Sequence, residues 1–181
     1  CYENGGKLMI AGNGGSCSDS EHIVGELMKS FMFERKIQKK YADELVRLYG
    51  DEGVALSKKL EGTLCSIPLT SMPALSTAFI NDVDPALTFA QMLYGYGREG
   101  DCFLGISTSG NSKNILYALQ VAKAKGITTI GLTGEGGGKM KELCDITIQV
   151  PEKETFMIQE LHLPIYHCLC AMLEADFFEE K

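Results

Sequence analysis

Paired cysteines, long apolar runs and an excess of basic charge are all missing from this chain. Its seven cysteines (Cys1, Cys17, Cys65, Cys102, Cys144, Cys168 and Cys170) are odd in number and never spaced C-x-x-C. That pattern argues against a disulfide framework or a zinc ribbon and reads as reduced, mostly buried thiols, so a cytoplasmic location is expected. No apolar run reaches the roughly 18–20 residues that span a bilayer. The first ten residues hold one lysine and no long apolar core, so no secretory leader is expected there. The chain starts at Cys1 rather than Met, and an N-terminal helix ahead of it is expected to be missing. A net charge of −7 argues against nucleic acid or anionic membrane as a general partner, since both select a basic face. A phosphorylated small molecule remains open, because local amides and hydroxyls suffice to hold it.

What is present is ordinary globular composition, 45% hydrophobic and 23% charged, in 181 residues, enough for one domain with a real core. Short apolar runs bounded by Gly and Ser predict strands at Leu8 to Ala11, Cys102 to Ile106, Thr128 to Leu132 and Ile146 to Val150, with a further one near Leu64 to Pro68. A helical stretch, Asn111 to Lys125, and a glycine turn, Gly134 to Gly138, lie between the last three of the main strands. This alternation predicts an α/β fold, a central parallel sheet flanked by helices in three layers. From Thr155 to about Phe178 the apolar spacing is helical, with Pro164 inside, where a bend is expected. The segment from about 34 to 61 is dense in charge but carries Leu45, Leu48, Val54, Leu56 and Leu60 at loosely helical spacing. It reads as a solvated amphipathic helix or helical pair without chemical specificity, with a lid or partner-binding element as the other reading.

Two turns carry the chemistry. The run Gly105-Ile-Ser-Thr-Ser-Gly-Asn-Ser112 follows a predicted strand and opens a predicted helix. Unpaired amides and the positive end of the helix dipole gather there, which suits a phosphate. Ser107, Thr108, Ser109 and Ser112 add hydroxyls, and Gly110 permits close backbone approach. A single serine would read as a plain N-cap, but four hydroxyls at the carboxyl end of a strand point to a ligand edge. A second turn, Gly12-Asn-Gly-Gly-Ser16, also joins a strand to a helix. It lacks the Lys of a P-loop and the full G-x-G-x-x-G spacing, so nucleotide binding is a weak reading. Asn13 and the amides of Gly14 and Gly15 suit sugar hydroxyls or phosphate, and the two turns together form a sugar-phosphate cradle.

His22 and Glu26 are four apart in the helix after the first turn, on one face and able to share a metal ion. A surface ion pair is the plainer reading, weakened by the proximity of the ligand turn and by the scarcity of histidine, of which there are three in all.

In order along the chain, G-N-G-G-S, G-I-S-T-S-G-N-S, L-T-G-x-G-G-G and I-Q-E-L-H with a later His resemble the bacterial phosphoheptose isomerases, over Gly12 to about Leu173. The resemblance implies a flavodoxin-like sugar isomerase (SIS) domain filling residues 1–181. It implies zinc held at His22, Glu26, Gln159 and His167, with Glu26 and His167 as the acid–base pair. Asn81 and Asp82, in A-x-x-N-D, are implied to hold sugar hydroxyls, alongside Asn13, Gly14, Gly15, Ser16, Ser107, Thr108, Ser109, Ser112 and Gln159. The implied activity is isomerisation of sedoheptulose 7-phosphate to a heptose 7-phosphate through an enediol. His162 matches a family position without an assigned role and reads as a helix-face histidine.

Gln159 and His167 would lie about 12 Å apart along a straight helix, from 1.5 Å per residue. One ion could hardly take both, so one of them is expected to reach a neighbouring subunit's site, in a homo-oligomer expected to be a homotetramer. Phe156, where the family has Asp, Ser30, where it has Arg, and the long charged segment depart from the pattern and leave the sugar's identity open. The rival readings are a non-catalytic relative that binds the replication initiator, a phosphosugar sensor, and a metal-free hexose phosphate isomerase.

Overall fold

A computed structural model describes residues 1–178. Five parallel strands, β1 (Leu8–Ala11), β2 (Ser66–Pro68), β3 (Cys102–Ile106), β4 (Thr128–Thr133) and β5 (Ile146–Gln149), form one sheet in the order β2-β1-β3-β4-β5. The helices are α1 (Gly15–Met28), α2 (Lys39–Tyr49), α3 (Asp51–Lys59), α4 (Pro73–Asp82), α5 (Thr88–Tyr96), α6 (Lys113–Ala124), α7 (Met140–Leu143) and α8 (Thr155–Phe178). The expected α/β fold is observed, and α8 is one continuous helix across Pro164. Among the described residues no helix is long and apolar enough to cross a membrane, and all seven cysteines are free, but only Cys170 is buried, where mostly buried thiols were expected.

Side chains alternate across each strand, and that alternation builds two cores. Met9, Ala11 and Phe103 face α5 and α6, packing with Leu93, Ile115, Ala118 and Leu119. Ile10, Leu104, Ile106 and Leu132 face the other way, onto Ile23, Leu27, Tyr166 and Cys170 of α1 and α8. The sheet is therefore the middle of three layers. Its amino-terminal edge is stapled by Asp101, which accepts from the Lys7 amide at 3.0 Å and the Arg98 amide at 2.8 Å and pairs with the Lys7 ammonium at 2.6 Å.

The charged segment is the helical pair α2 and α3, turned at Gly50 and closed at its base by an antiparallel bridge between Lys36 and Glu61. The expectation that nothing in it carries chemical specificity fails at Arg35. That guanidinium is fully buried and meets Glu174 of α8 at 2.6 Å. Ser30 has its own use: its hydroxyl accepts from the Arg35 amide at 3.1 Å, and its amide donates to Glu61 at 2.7 Å.

Burial pushes the carboxyls of Glu174 and Asp101 up, but their amide and cation partners outweigh it and hold both below the ordinary range. Groups with lowered folded-state values contribute stability that is complete above the unfolded value, about 4, and is lost as pH falls through the folded value. The thermal midpoint is therefore expected to be flat from pH 7 to 5 and to fall steeply toward pH 3, as scanning calorimetry across that range would show.

Candidate active site

The strand order reverses direction between β1 and β3, and the crevice at the carboxyl ends of those two strands is where open α/β sheets hold ligands. Both predicted turns lie there. Gly12 to Ser16 leaves β1 and enters α1, and Ser107 to Ser112 leaves β3 and enters α6. The pairing of Ala11 with Gly105 sets them side by side. They are joined by a reciprocal amide pair between Asn13 and Asn114, at 3.0 and 2.8 Å. Asn114 is the site residue that sequence reasoning missed, since only the strand pairing brings it to Asn13, 101 positions away.

Ser112 does not cap α6 with its side chain; its hydroxyl instead shares a 2.8 Å hydrogen bond with that of buried Ser107. Thr108 is half-buried and Ser109 exposed, with the Ser109 hydroxyl accepting from the Asn111 amide at 3.2 Å. Asn111 ties this turn to the glycine turn after β4 by accepting from the Lys139 amide at 3.1 Å. Gly110 has φ +65, and a β-carbon there would strike the backbone of Gly137. Gly110→Ala is expected to cost at least the roughly 1–2 kcal/mol of a left-handed residue, and to loosen the turn as well. Chemical denaturation would measure the first effect and inhibition by inorganic phosphate the second.

Gln159 reaches this edge too: its amide lies so close to Gly15 that a β-carbon there would collide with it. Gly12, Asn13, Gly14, Asn114 and Thr88 help line a cavity of about 250 Å³, together with Ile80 of α4. Asn81 and Asp82 do not line it. Both are exposed, the Asn81 amide donating to Asp82 at 2.8 Å. Ser16 is buried and Gly14 and Gly15 are exposed.

The titratable residues gather farther along α1. His22 Nε2 lies 3.3 Å from Glu26, and His22 Nδ1 lies 2.9 Å from the Tyr166 hydroxyl. The ring of His167 stands edge-on to that of His22, their centroids 5.0 Å apart, and packs against Phe31 at 5.6 Å. Burial pushes the Tyr166 hydroxyl and the Asp19 carboxyl up. Lys29 also pairs with Glu26, at 3.3 Å. Because α1 and α8 run parallel, Gln159 meets the start of α1 while His167 meets its middle. Glu26 is eleven residues beyond Gly15, about 16 Å of helix axis. Within one chain the structure thus brings His22, Glu26 and His167 together, and separates them from the two turns and from Gln159.

The donors suit zinc in type, and Nε2 of His167 is buried with no hydrogen-bond partner among the described residues. As the side chains stand, no group of three or more His, Cys, Asp and Glu among those residues is placed to hold one ion. His162 is fully buried on a face of α8, its Nε2 lying 3.3 Å from the Thr133 carbonyl, and it is a core residue.

Comparison with known proteins agrees with this geometry. A family model described as the SIS domain matches residues 74–173. A phosphoheptose isomerase from Aneurinibacillus thermoaerophilus is 43% identical over 180 residues, covering 99% of this chain and 78% of that protein. The structure of phosphoheptose isomerase GmhA from Neisseria gonorrhoeae matches with a TM-score of 0.77 at 29% identity, over 97% of this chain and 79% of that one. A phosphoheptose isomerase from Francisella tularensis matches with a TM-score of 0.75 at 32% identity, over 96% and 78% of the two chains. With identity this high over nearly its whole length and the same arrangement of strands and turns, the chain belongs to the phosphoheptose isomerase family.

Proposed function

We propose that this chain converts sedoheptulose 7-phosphate to D-glycero-D-manno-heptose 7-phosphate, an aldose–ketose isomerisation, in the cytoplasm. The observation that carries the mechanism is that α1 begins in a hydroxyl- and amide-lined cradle and ends in a carboxylate–imidazole cluster. The cradle binds the phosphate through the turn amides and the hydroxyls of Ser107, Thr108, Ser109 and Ser112. Gln159 orients the sugar from beside Gly15. Glu26 removes the proton from the carbon next to the carbonyl, and His167 donates to the carbonyl oxygen, giving the enediol; Glu26 then returns the proton to the former carbonyl carbon while His167 takes one from the other enediol oxygen, which delivers the isomer. Tyr166 holds the His22 ring by Nδ1, which fixes the direction in which Nε2 faces Glu26. Zinc would be held by His22, Glu26 and His167, with Gln159 of a neighbouring copy, and when bound it supplies a Lewis acid for the carbonyl oxygen.

The separation of the cradle from Glu26 and His167 within one chain supports an assembly, a tetramer, in which each cradle is completed by the acid–base pair of a neighbour. Apolar side chains on α8 that face outward, Phe156 and Met172 among them, supply surface for it. Mixing decides this. Ser107→Ala and Glu26→Gln subunits, each weakly active alone, are expected to regain activity when co-refolded, since some mixed sites then carry neither change. Activity no higher than the average of the two would exclude shared sites.

Isomerisation itself is tested by solvent exchange in heavy water. Sedoheptulose 7-phosphate is expected to gain deuterium at the carbon next to its carbonyl, more slowly after chelation. Absence of exchange with both seven- and six-carbon ketose phosphates would favour a non-catalytic phosphosugar-binding protein.

A further inference from the structure

The last carbonyls of an α-helix have no partner within the helix and must find one elsewhere. In α1 these include the carbonyls of Glu26 and Leu27. Both are taken by one side chain: Arg35 donates from Nη2 to the Glu26 carbonyl at 3.0 Å and from Nη1 to the Leu27 carbonyl at 2.8 Å. Its third donor, Nε, meets Glu174 Oε1 at 2.6 Å. The Glu174 carboxylate in turn accepts from the backbone amides of Phe31 at 2.8 Å and Met32 at 2.6 Å. Both charged side chains are fully buried.

Each end of this ion pair therefore leads to one member of the acid–base pair. Arg35 grips the backbone of Glu26. Glu174 grips the backbone of Phe31, whose ring packs on His167. A guanidinium presents its donors in a rigid planar fork, which is what three acceptors at fixed positions need and what an ammonium or a neutral side chain cannot supply. Burying two charges is a poor route to stability, because well-packed apolar residues of similar size often do as well or better. Holding two reacting groups at a fixed separation is a use for which the pair has no apolar substitute.

We propose that Arg35 and Glu174 are positioning residues for the isomerisation, fixing the Glu26 carboxylate relative to the His167 imidazole from behind the site. This rests on the reading of Glu26 and His167 as the acid–base pair. Neither charged group touches the substrate-binding turns, so the pair governs turnover and not phosphate binding.

The test is the double variant Arg35→Met/Glu174→Leu, which removes both charges at once and leaves neither buried alone. Its kcat and KM on sedoheptulose 7-phosphate, measured well below its thermal midpoint, are compared with those of Arg35→Lys, Glu174→Gln and Glu26→Gln. The expected result is a folded double variant with KM within about threefold of wild type and kcat lower by roughly 10- to 100-fold, the range that a misplacement of about 1 Å costs. Arg35→Lys should show the same division between kcat and KM. A folded double variant with wild-type kcat overturns the proposal, since a purely structural pair is replaceable by apolar packing. Should the double variant fail to fold, Arg35→Lys and Glu174→Gln carry the decision, and wild-type kcat in both overturns it. Glu26→Gln separates the two levels. If it retains wild-type turnover, the acid–base reading fails and the positioning role with it; if it is inactive while the double variant is fully active, positioning alone fails.

Discussion

Glu26→Gln is expected to lower kcat on sedoheptulose 7-phosphate by about 10²–10⁴-fold, the contribution of a positioned general base, while leaving phosphate binding near wild type. The substitution keeps shape and removes the ability to take a proton. Glu26 sits 3.3 Å from His22 Nε2 and 3.3 Å from the Lys29 ammonium, so the amide loses two charge-assisted contacts as well. Those contacts are partly exposed and worth little to folding, so the protein should remain folded and the loss should appear in turnover. The turn after β1 lies at the opposite end of α1, with the turn after β3 beside it, and both are untouched. Inhibition by inorganic phosphate, measured beside the deuterium exchange rate, separates the two functions. Comparable loss of both would mean that Glu26 shapes the cradle rather than moving the proton.

Glu174→Ala is expected to destabilise the fold by about 3–5 kcal/mol, the cost of breaking a buried ion pair from one side. The reason is what remains behind. The Arg35 guanidinium stays buried without its counter-charge, and the amides of Phe31 and Met32 lose their acceptor. For a domain of this size the midpoint should fall by about 6–20 °C, which calorimetry would read directly. Removing both charges together should cost much less, so the two experiments form a thermodynamic cycle whose coupling term belongs to the pair. A Glu174→Ala protein as stable as wild type would mean that water reaches the cavity and solvates Arg35.

The acid sensitivity expected from Glu174 and Asp101 bears on the same network. As pH falls through their lowered folded-state values, protonation of Glu174 does gradually what Glu174→Ala does at once. The loss of stability below pH 4 should therefore be shallower in the Glu174→Ala protein than in wild type.

How much of this was legible in the sequence depends on the distance over which each feature is decided. Strands such as Leu8–Ala11 and Cys102–Ile106 were readable because a short apolar run bounded by Gly and Ser is a local signal, and parallel order followed from the helices between them. The two turns were readable for the same reason: hydroxyls, glycines and a helix start occupy a few consecutive positions. His22 and Glu26 share a face because 3.6 residues make a turn. Pairings between distant segments were not readable. Asn114 reaches Asn13 only because β1 and β3 are neighbours, Tyr166 reaches His22 only because α8 packs along α1, and Arg35 finds Glu174 across 139 positions. A charged run gave no sign that one of its arginines lies in the core.

The sequence by itself determined the α/β class, the two glycine- and hydroxyl-rich turns and the face shared by His22 and Glu26, since propensity, period and turn chemistry act within about a dozen residues. Only the tertiary structure decided that the turn after β3 lies beside the turn after β1, that His167 of α8 stands against His22 of α1, and that a buried ion pair of Arg35 and Glu174 lies behind them. Those facts depend on which faces pack together, and packing brings together side chains that no local pattern relates.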